Sequence, residues 1–442
     1  MIDVSRFETR GPESRGPETQ GVESQSGGAT VNRFEAMQMG IELAGWLGPV
    51  HVEPIEDQDD AITESMRASL RAMIERINRQ RGQSSPAAED RGQPPADPRS
   101  PAELLPPDGD PPPVTRRQLL EQLRQQSQRL HDRFGLDLRV RAIARSSKML
   151  LADKRLDLDQ WRDALDASEV PVDFDVFERH VHADHLPHAV IIDCTADDTV
   201  AGRYAGWLAK GIHVITPNKK AFSGSQADYQ ALQDSAREGG AHYLYETTVG
   251  AALPIIKTIR DLVDTGDRIH SVKGILSGTL AYLFNIYDGS TPFSEIVRDA
   301  RERGFTEPDP RDDLSGMDVA RKLTILAREL GQQLEIGDFP VEDLVPEALR
   351  DVTVDAFLSG LADYDDDMLR RYREAESGGQ SLRYIARLDD QGNASVGLET
   401  VAADDAFSNM QLTDNLVQFQ SDRYAANPLV IQGPGAGPEV TA

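Results

Sequence analysis

The sequence predicts an α/β chain with two folded parts, a doubly wound domain followed by an α+β domain, and three observations carry that expectation. From about residue 114 to 242, apolar runs of strand length alternate with stretches of helical periodicity, which is the pattern of a sheet covered on both faces. From Tyr243 onward, longer helical patterns and strand pairs near Leu382 to Leu398 replace that alternation. Before about residue 114 neither pattern holds, so ordered structure is expected to begin near Val114.

Residues 1 to about 32 contain an imperfect repeat, Thr9 to Ser14 and then Ser14 to Thr19, with almost no large apolar residues. Such a segment cannot bury enough surface to offset chain entropy, and disorder is expected. Ile62, Met66, Leu70, Met73, Ile74 and Ile77 follow a helical period, which predicts one amphipathic helix over about 60–78. Residues 81–113 return to Pro, Gly, Gln, Ser and charge, the composition of a linker.

In the doubly wound part, Leu119, Leu120, Leu123 and Leu130 place a helix over 117–130, and Leu138 to Ala144 alternates as a strand. The run Ala189-Val190-Ile191-Ile192-Asp193-Cys194-Thr195 reads as a buried parallel strand. A helix from Thr199 to Lys210 and a strand from His213 to Thr216 follow. Repeated at this spacing, the pattern is that of a Rossmann-like nucleotide-binding domain over 114–242. Such a domain ordinarily opens with a strand and a glycine-rich turn. Here the chain reads Leu105 to Thr115 with prolines at 111–113, so the first strand and glycine loop are expected to be missing.

The most informative segment is Gly304 to Lys322. It places Glu307, Asp309, Asp312 and Asp313 in a turn stiffened by Pro308 and Pro310, then begins a helix (Val319 to Leu330) with Asp318 and Lys322 on one face at i,i+4. Ser315 with Asp318 three residues on reads as a helix cap. Spacing alone leaves two meanings open: a rigid acidic rim beside a lysine, or a capping box with a surface ion pair. Nine histidines are present, several between His180 and His188, and there a structural or solvated role is expected over a zinc site.

Together with Thr216-Pro217-Asn218-Lys219-Lys220, Tyr245 to Pro254 and Gly274 to Thr279, the acidic segment resembles homoserine dehydrogenase, with all four motifs in the family's order from about residue 116. Leu416 to Ala442 is more similar to the dehydrogenase half of bifunctional aspartokinase/homoserine dehydrogenases. No kinase half is expected before it, and the nucleotide domain reads as clipped at both ends.

The resemblance implies NADP-dependent interconversion of L-homoserine and L-aspartate 4-semialdehyde, in threonine, methionine and isoleucine biosynthesis. It implies a substrate-binding and dimerisation domain over 243–424 and a return to the nucleotide domain at about 425–442. Lys322 would be the proton donor, Asp313 would orient it, and Lys219 would help fix the substrate and nicotinamide. Glu307 and Asp318 would hold the substrate ammonium and hydroxyl. Arg145, Ser146 and Lys148 end the second strand where NADP sites carry cations and NAD sites an acid, so NADP is expected and NAD stays possible; ordinary surface basicity is the alternative. Thr195 and Lys219 match positions on the nicotinamide half, and Gly433, Gly435 and Gly437 match a second close approach of backbone to cofactor, a flexible tail being the other reading. Glu246 with the carbonyls of Val249, Ala251 and Leu253 matches a site for sodium or another monovalent cation; a plain turn with Glu246 at a helix N-terminus is the alternative.

A net charge of -27 and a pI near 4.7 argue against nucleic acid or an anionic membrane as partner, leaving a small polar metabolite. The single cysteine, Cys194, excludes a disulfide framework, and no apolar run reaches the length of a membrane span. A cytoplasmic homodimer or higher homo-oligomer is expected. Two other readings remain: a noncatalytic homologue whose damaged nucleotide domain holds cofactor poorly, and a divalent-metal hydrolase built on the acidic loop, which the nearby lysines oppose.

Overall fold

The computed structural model describes residues 2–4, 114–183, 186, 188–410 and 413–435. The expected helix at about 60–78, the linker of 81–113 and Gly437 lie outside the described residues. The first sheet has the order β3-β2-β1-β4-β5-β6. Its strands are β1 Ile2–Val4, β2 Val140–Ala144, β3 Met149–Leu151, β4 Ala189–Ile192, β5 Ile212–Ile215 and β6 Tyr243–Leu244.

Helices α1 (Val114–Phe134) and α2 (Trp161–Ala167) cover one face of this sheet, where Leu120 and Leu165 pack on Ile143, Val190 and Ile192. On the other face α3 (Phe174–Val181) and α5 (Tyr204–Ala209) bring Phe177, Tyr204, Trp207 and Leu208 against Ala142 and Ile191. Both faces are therefore dry, which is why β4 is an unbroken apolar run. The expected helix over 199–210 divides into α4 (Asp198–Ala201) and α5, because Arg203 N bonds back to Val200 O in a tighter turn at Gly202. Helix α6 (Gln226–Gly239) follows, and Gly239 is needed because a Cβ there would lie 1.9 Å from the Leu208 carbonyl oxygen.

The first strand is not missing. Ile2–Val4 fills the slot between β2 and β4, with Ile2 opposite both Ile143 and Ile192, so residues 2–4 depart from the disorder expected of the N-terminus. An empty slot would leave the facing backbone groups of β2 and β4 unpaired inside the sheet, and a short apolar–polar–apolar strand supplies the partners. Its direction is unusual: β1 runs antiparallel to both neighbours, whereas β4, β5 and β6 are parallel. The chain therefore leaves β1 beside Val140, at the opposite edge from the carboxyl ends of β2 and β4, and no phosphate-binding turn can follow this strand there.

The second sheet is antiparallel throughout, in the order β11-β10-β7-β8-β9. It consists of β7 Ile269–Ile275, β8 Gln380–Asp389, β9 Ala394–Ala402, β10 Asp414–Ser421 and β11 Leu429–Pro434. Strand β11 corrects the expected return to the nucleotide domain near residue 425: the backbone from Leu429 to Pro434 pairs with β10 and stays with the second domain. The helices of this half are α7 (Ile255–Asp264), α8 (Gly278–Ile286), α9 (Phe293–Glu302), α10 (Pro310–Leu314), α11 (Met317–Glu329), α12 (Val354–Gly360) and α13 (Asp365–Ser377). One apolar core runs through both halves, from Phe222 and Tyr245, whose ring centroids are 4.0 Å apart, to Leu323 and Leu326 of α11.

Candidate active site

Helix α11 is where the two halves meet. Its start is set by Gly316 at φ 71°, where a Cβ would stand 1.9 Å from the Tyr384 hydroxyl oxygen, so only glycine fits. Gly316 takes the cap position expected for Ser315. Ser315 instead ends α10 and accepts weakly from Met317 N at 3.4 Å. Freed from capping, Asp318 points to lysines. Its Oδ2 is 2.9 Å from Lys322 Nζ on the same helix, and its Oδ1 is 3.1 Å from Lys219 Nζ, which rides on the loop after β5.

Lys322 is 8% exposed, and its ammonium also donates to the Leu276 carbonyl at 2.5 Å. Burial pulls its pKa below the ordinary lysine value, Asp318 opposes that, and the Lys219 charge adds to it. Loss of hydration works against the charged form of Asp318, but Lys322 and Lys219 outweigh it and hold the carboxyl well below the usual range. The result is a buried ammonium held between the Asp318 carboxylate and the Leu276 carbonyl, beside a carboxylate that stays charged.

The acidic loop is anchored by Arg311, which forks onto Asp309 at 2.6 Å and donates to the carbonyls of Leu349, Arg350 and Val352 at 3.2, 2.7 and 2.7 Å. Asp313 does not pair with Lys322. Its Oδ2 accepts the Glu307 amide at 2.8 Å, fixing the rim that carries Glu307. Burial pushes the Asp313 carboxyl up to about 6, against the Glu307 amide and the Thr279 hydroxyl. The Glu307 side chain is exposed at that rim.

On the nucleotide side, Thr195 and Lys219 lie on loops organised by an acid that sequence reasoning passed over. Asp193 is fully buried; its Oδ1 accepts Thr195 N at 2.9 Å, and its Oδ2 accepts the Tyr204 hydroxyl and, at 3.4 Å, Asn218 Nδ2. A carboxylate immediately after the apolar run of β4 was the available signal, since a buried acid must be satisfied locally. Arg328 of α11, 2% exposed, was also missed. It donates to the carbonyls of Phe222 and Gly224, the latter at 2.8 Å, and so ties the Lys219 loop to α11 a second time. Arg145 meets Asp166 at 2.8 Å, Lys148 donates to the Asp166 backbone carbonyl, and Ser146 is exposed in the turn between them.

The terminal glycines approach protein. A Cβ on Gly433 would sit 3.1 Å from Leu253, and one on Gly435 would overlap the Asn415 side chain. Both oxygens of Glu246 accept amides of α7, from Ile256 at 2.9 Å and Lys257 at 3.0 Å, and burial raises its pKa. The Leu253 carbonyl accepts from Ile255 N at 2.8 Å, while Ala251 adopts φ 51° in the turn. The histidine run makes no metal cluster among the described residues; His180 bonds to the Ala152 carbonyl at 3.0 Å.

A doubly wound half whose strand ends carry Thr195 and Lys219 thus meets a buried lysine–carboxylate pair from an α+β half. The family model described as "Homoserine dehydrogenase, NAD binding domain" matches residues 117–246, and that described as "Homoserine dehydrogenase" matches 254–442. The homoserine dehydrogenase of Schizosaccharomyces pombe is 41% identical over 295 residues, 65% of this chain and 78% of that protein. The chloroplastic bifunctional aspartokinase/homoserine dehydrogenase 2 of Arabidopsis thaliana is 49% identical over 327 residues, 73% of this chain and 36% of the relative. The chain thus spans about a third of the length of such bifunctional relatives. A Candida auris protein of unknown function has a solved structure with a TM-score of 0.67 at 36% identity, covering 74% of this chain and 92% of that one. A hyperthermophilic archaeal homoserine dehydrogenase in complex with NADPH shares the fold at a TM-score of 0.55 and 20% identity, over 74% and 91% of the chains. This chain belongs to the homoserine dehydrogenase family, a family of oxidoreductases. Among the described residues no helix is long and apolar enough to cross a membrane.

Proposed function

We propose that the chain catalyses reversible, NADP-dependent hydride transfer between L-homoserine and L-aspartate 4-semialdehyde. The observation that carries this reading is Asp318 shared between Lys219 and Lys322, one lysine from each half. A surface ion pair has no need of a buried lysine, and a divalent-metal site has no use for two ammonium groups on its central carboxylate. When bound, the nicotinamide supplies or accepts the hydride. As negative charge develops on the aldehyde oxygen, Lys322 donates a proton to it and Asp318 stabilises the ammonium form that must be restored. Glu307 accepts no hydrogen bond on its carboxylate from the described residues, which leaves it open to the substrate ammonium. Asp313 acts through Glu307, by holding its amide. Lys219 fixes the nicotinamide side.

The residues fit the cofactor at both ends. Thr195 and Lys219 would hold the nicotinamide half, and Arg145, Ser146 and Lys148 the adenosine half, which favours NADP over NAD. A monovalent cation at Val249, Ala251 and Leu253 would need Glu246 to release the amides of α7, so no step runs through it. Assembly as a homodimer or larger homo-oligomer belongs to the same proposal. The test mixes the purified chain with NADPH and aspartate semialdehyde and follows nicotinamide absorbance with and without chelator. Oxidation indifferent to chelator is expected. Absence of turnover with saturating NADPH would overturn the proposal in favour of a noncatalytic homologue.

A further inference from the structure

The first turn of α1 carries a charge that the fold does not balance. Arg116 is 6% exposed, with its guanidinium carbon 5.9 Å from the centroid of the Trp161 ring. Nη1 reaches the carbonyl of Ala144, the last residue of β2, at 3.5 Å. Nε has no partner, and no carboxylate among the described residues pairs with this side chain. Asp166, the acid of that corner, is already engaged by Arg145 at 2.8 Å and, through its backbone carbonyl, by Lys148. Arg162 lies over the same Trp161 ring at 5.5 Å. Arg116, Arg145, Lys148 and Arg162 thus converge on the carboxyl end of β2 with Asp166 among them, in a chain whose net charge is -27.

A buried cation without a paired counter-charge is destabilising: burial pulls the Arg116 guanidinium below its ordinary pKa and Arg145 and Arg162 push the same way, against partial opposition from Cys194 and Asp166. An anion would remove the imbalance, and two further features say where it sits. The N-terminus of the 21-residue α1 lies in the same corner and brings the partial positive charge of the helix dipole. The guanidinium points to Ala144 and Arg145, the end of the second strand, where this fold contacts the adenosine ribose.

We infer that Arg116 belongs to a site for the 2'-phosphate on the adenosine half of NADP, acting with Arg145 and the first turn of α1. This deepens the proposed function and rests on it. Strand β1 runs the wrong way to lead into a glycine turn at this edge, so the positive potential there comes from Arg116 and Arg145 together with the N-terminus of α1.

The test measures calorimetric affinity of the full chain for NADPH, NADH and adenosine 2',5'-bisphosphate, in the native form and as Arg116→Ala and Arg116→Lys. Arg116→Ala should weaken NADPH and the bisphosphate by about tenfold or more, change NADH less than twofold, and flatten the salt dependence of NADPH binding. Arg116→Lys should keep part of the affinity, which guards against a folding artefact in the alanine variant. Equal weakening of NADH and NADPH would place the guanidinium at the pyrophosphate and overturn the assignment, and so would unchanged affinity for every ligand. The bisphosphate arm separates the two proposals. Arg116-dependent binding of that probe by a chain that never oxidises NADPH would sustain this site and sink the dehydrogenase reading.

Discussion

Replacing Lys322 with Met should separate catalysis from folding. The Lys322 ammonium loses hydration in the core and gains Asp318 at 2.9 Å and the Leu276 carbonyl at 2.5 Å. Methionine keeps the reach of the side chain and removes the charge together with its desolvation cost. The partners left behind are not orphaned: Asp318 keeps Lys219 at 3.1 Å, and the Leu276 carbonyl keeps Asn415 Nδ2 at 3.4 Å. What is lost is one charge-assisted hydrogen bond and half of an ion pair whose acid is 43% exposed and so partly screened, about 2 kcal/mol together. The relieved desolvation is of similar size, so stability should change by less than about 1.5 kcal/mol in either direction.

Turnover has no such offset. Loss of a positioned proton donor costs roughly 10²- to 10⁴-fold, or about 3–5 kcal/mol at the transition state. NADPH affinity should move little, since Lys322 faces the substrate side. The assay pairs steady-state rates in both directions with urea unfolding of the same preparation. Turnover within about fivefold of the native chain would return Lys322 to a purely structural ion pair.

Other perturbations follow from the same geometry. Asp313, at about 6 in the folded chain, lies above the ordinary unfolded value of about 3.9, so its contribution to stability is full below that value and is lost as pH rises toward 6. Asp313→Asn should therefore gain on the order of 2 kcal/mol over the native chain at pH 8 and nothing at pH 3.5 by urea unfolding; an equal effect at both pH values would contradict the assignment. Arg328→Met withdraws donors from the Phe222 and Gly224 carbonyls, and should cost roughly 2–4 kcal/mol and weaken NADPH severalfold. Unaltered NADPH affinity in a destabilised variant would show that the Lys219 loop is held without it.

The alternation of apolar runs and helical stretches was readable because both faces of the first sheet are covered, which forces β4 and its neighbours to be apolar throughout. The Asp318–Lys322 pairing was readable for a local reason, the i,i+4 geometry of α11. Contacts that cross the two halves were not. Nothing near Lys219 in sequence announces that it meets Asp318, 99 positions away, or that Arg328 closes on the loop behind it. Likewise Ser315 carries the local signature of a cap, but Tyr384 from β8 crowds the turn and only Gly316, with its left-handed backbone, can stand there. Strand β1 escaped for the plainest reason. Three residues at the far end of the chain, with more than a hundred intervening, leave no period to detect, and their place is set by the unpaired edges of β2 and β4.

That strand also bears on how the cofactor is recognised. Where a parallel first strand runs into a glycine turn, the phosphates are met by backbone dipoles, which are insensitive to the net charge of the protein. An antiparallel first strand does not lead into such a turn, and among the described residues the positive potential comes from side chains with the N-terminus of α1. In this chain they work against a formal charge of -27, whose field repels a polyanionic cofactor at long range. Arg116, Arg145, Lys148 and Lys219 reverse that field only locally, at the ends of β2 and β5. Salt therefore has opposing effects: it screens the repulsion that slows encounter and the attraction that holds the bound phosphates. Buried or half-buried pairs at short range are screened far less than a diffuse surface charge. Moderate ionic strength should accordingly speed association before it weakens affinity, a signature that a backbone-lined phosphate turn on a neutral protein does not produce.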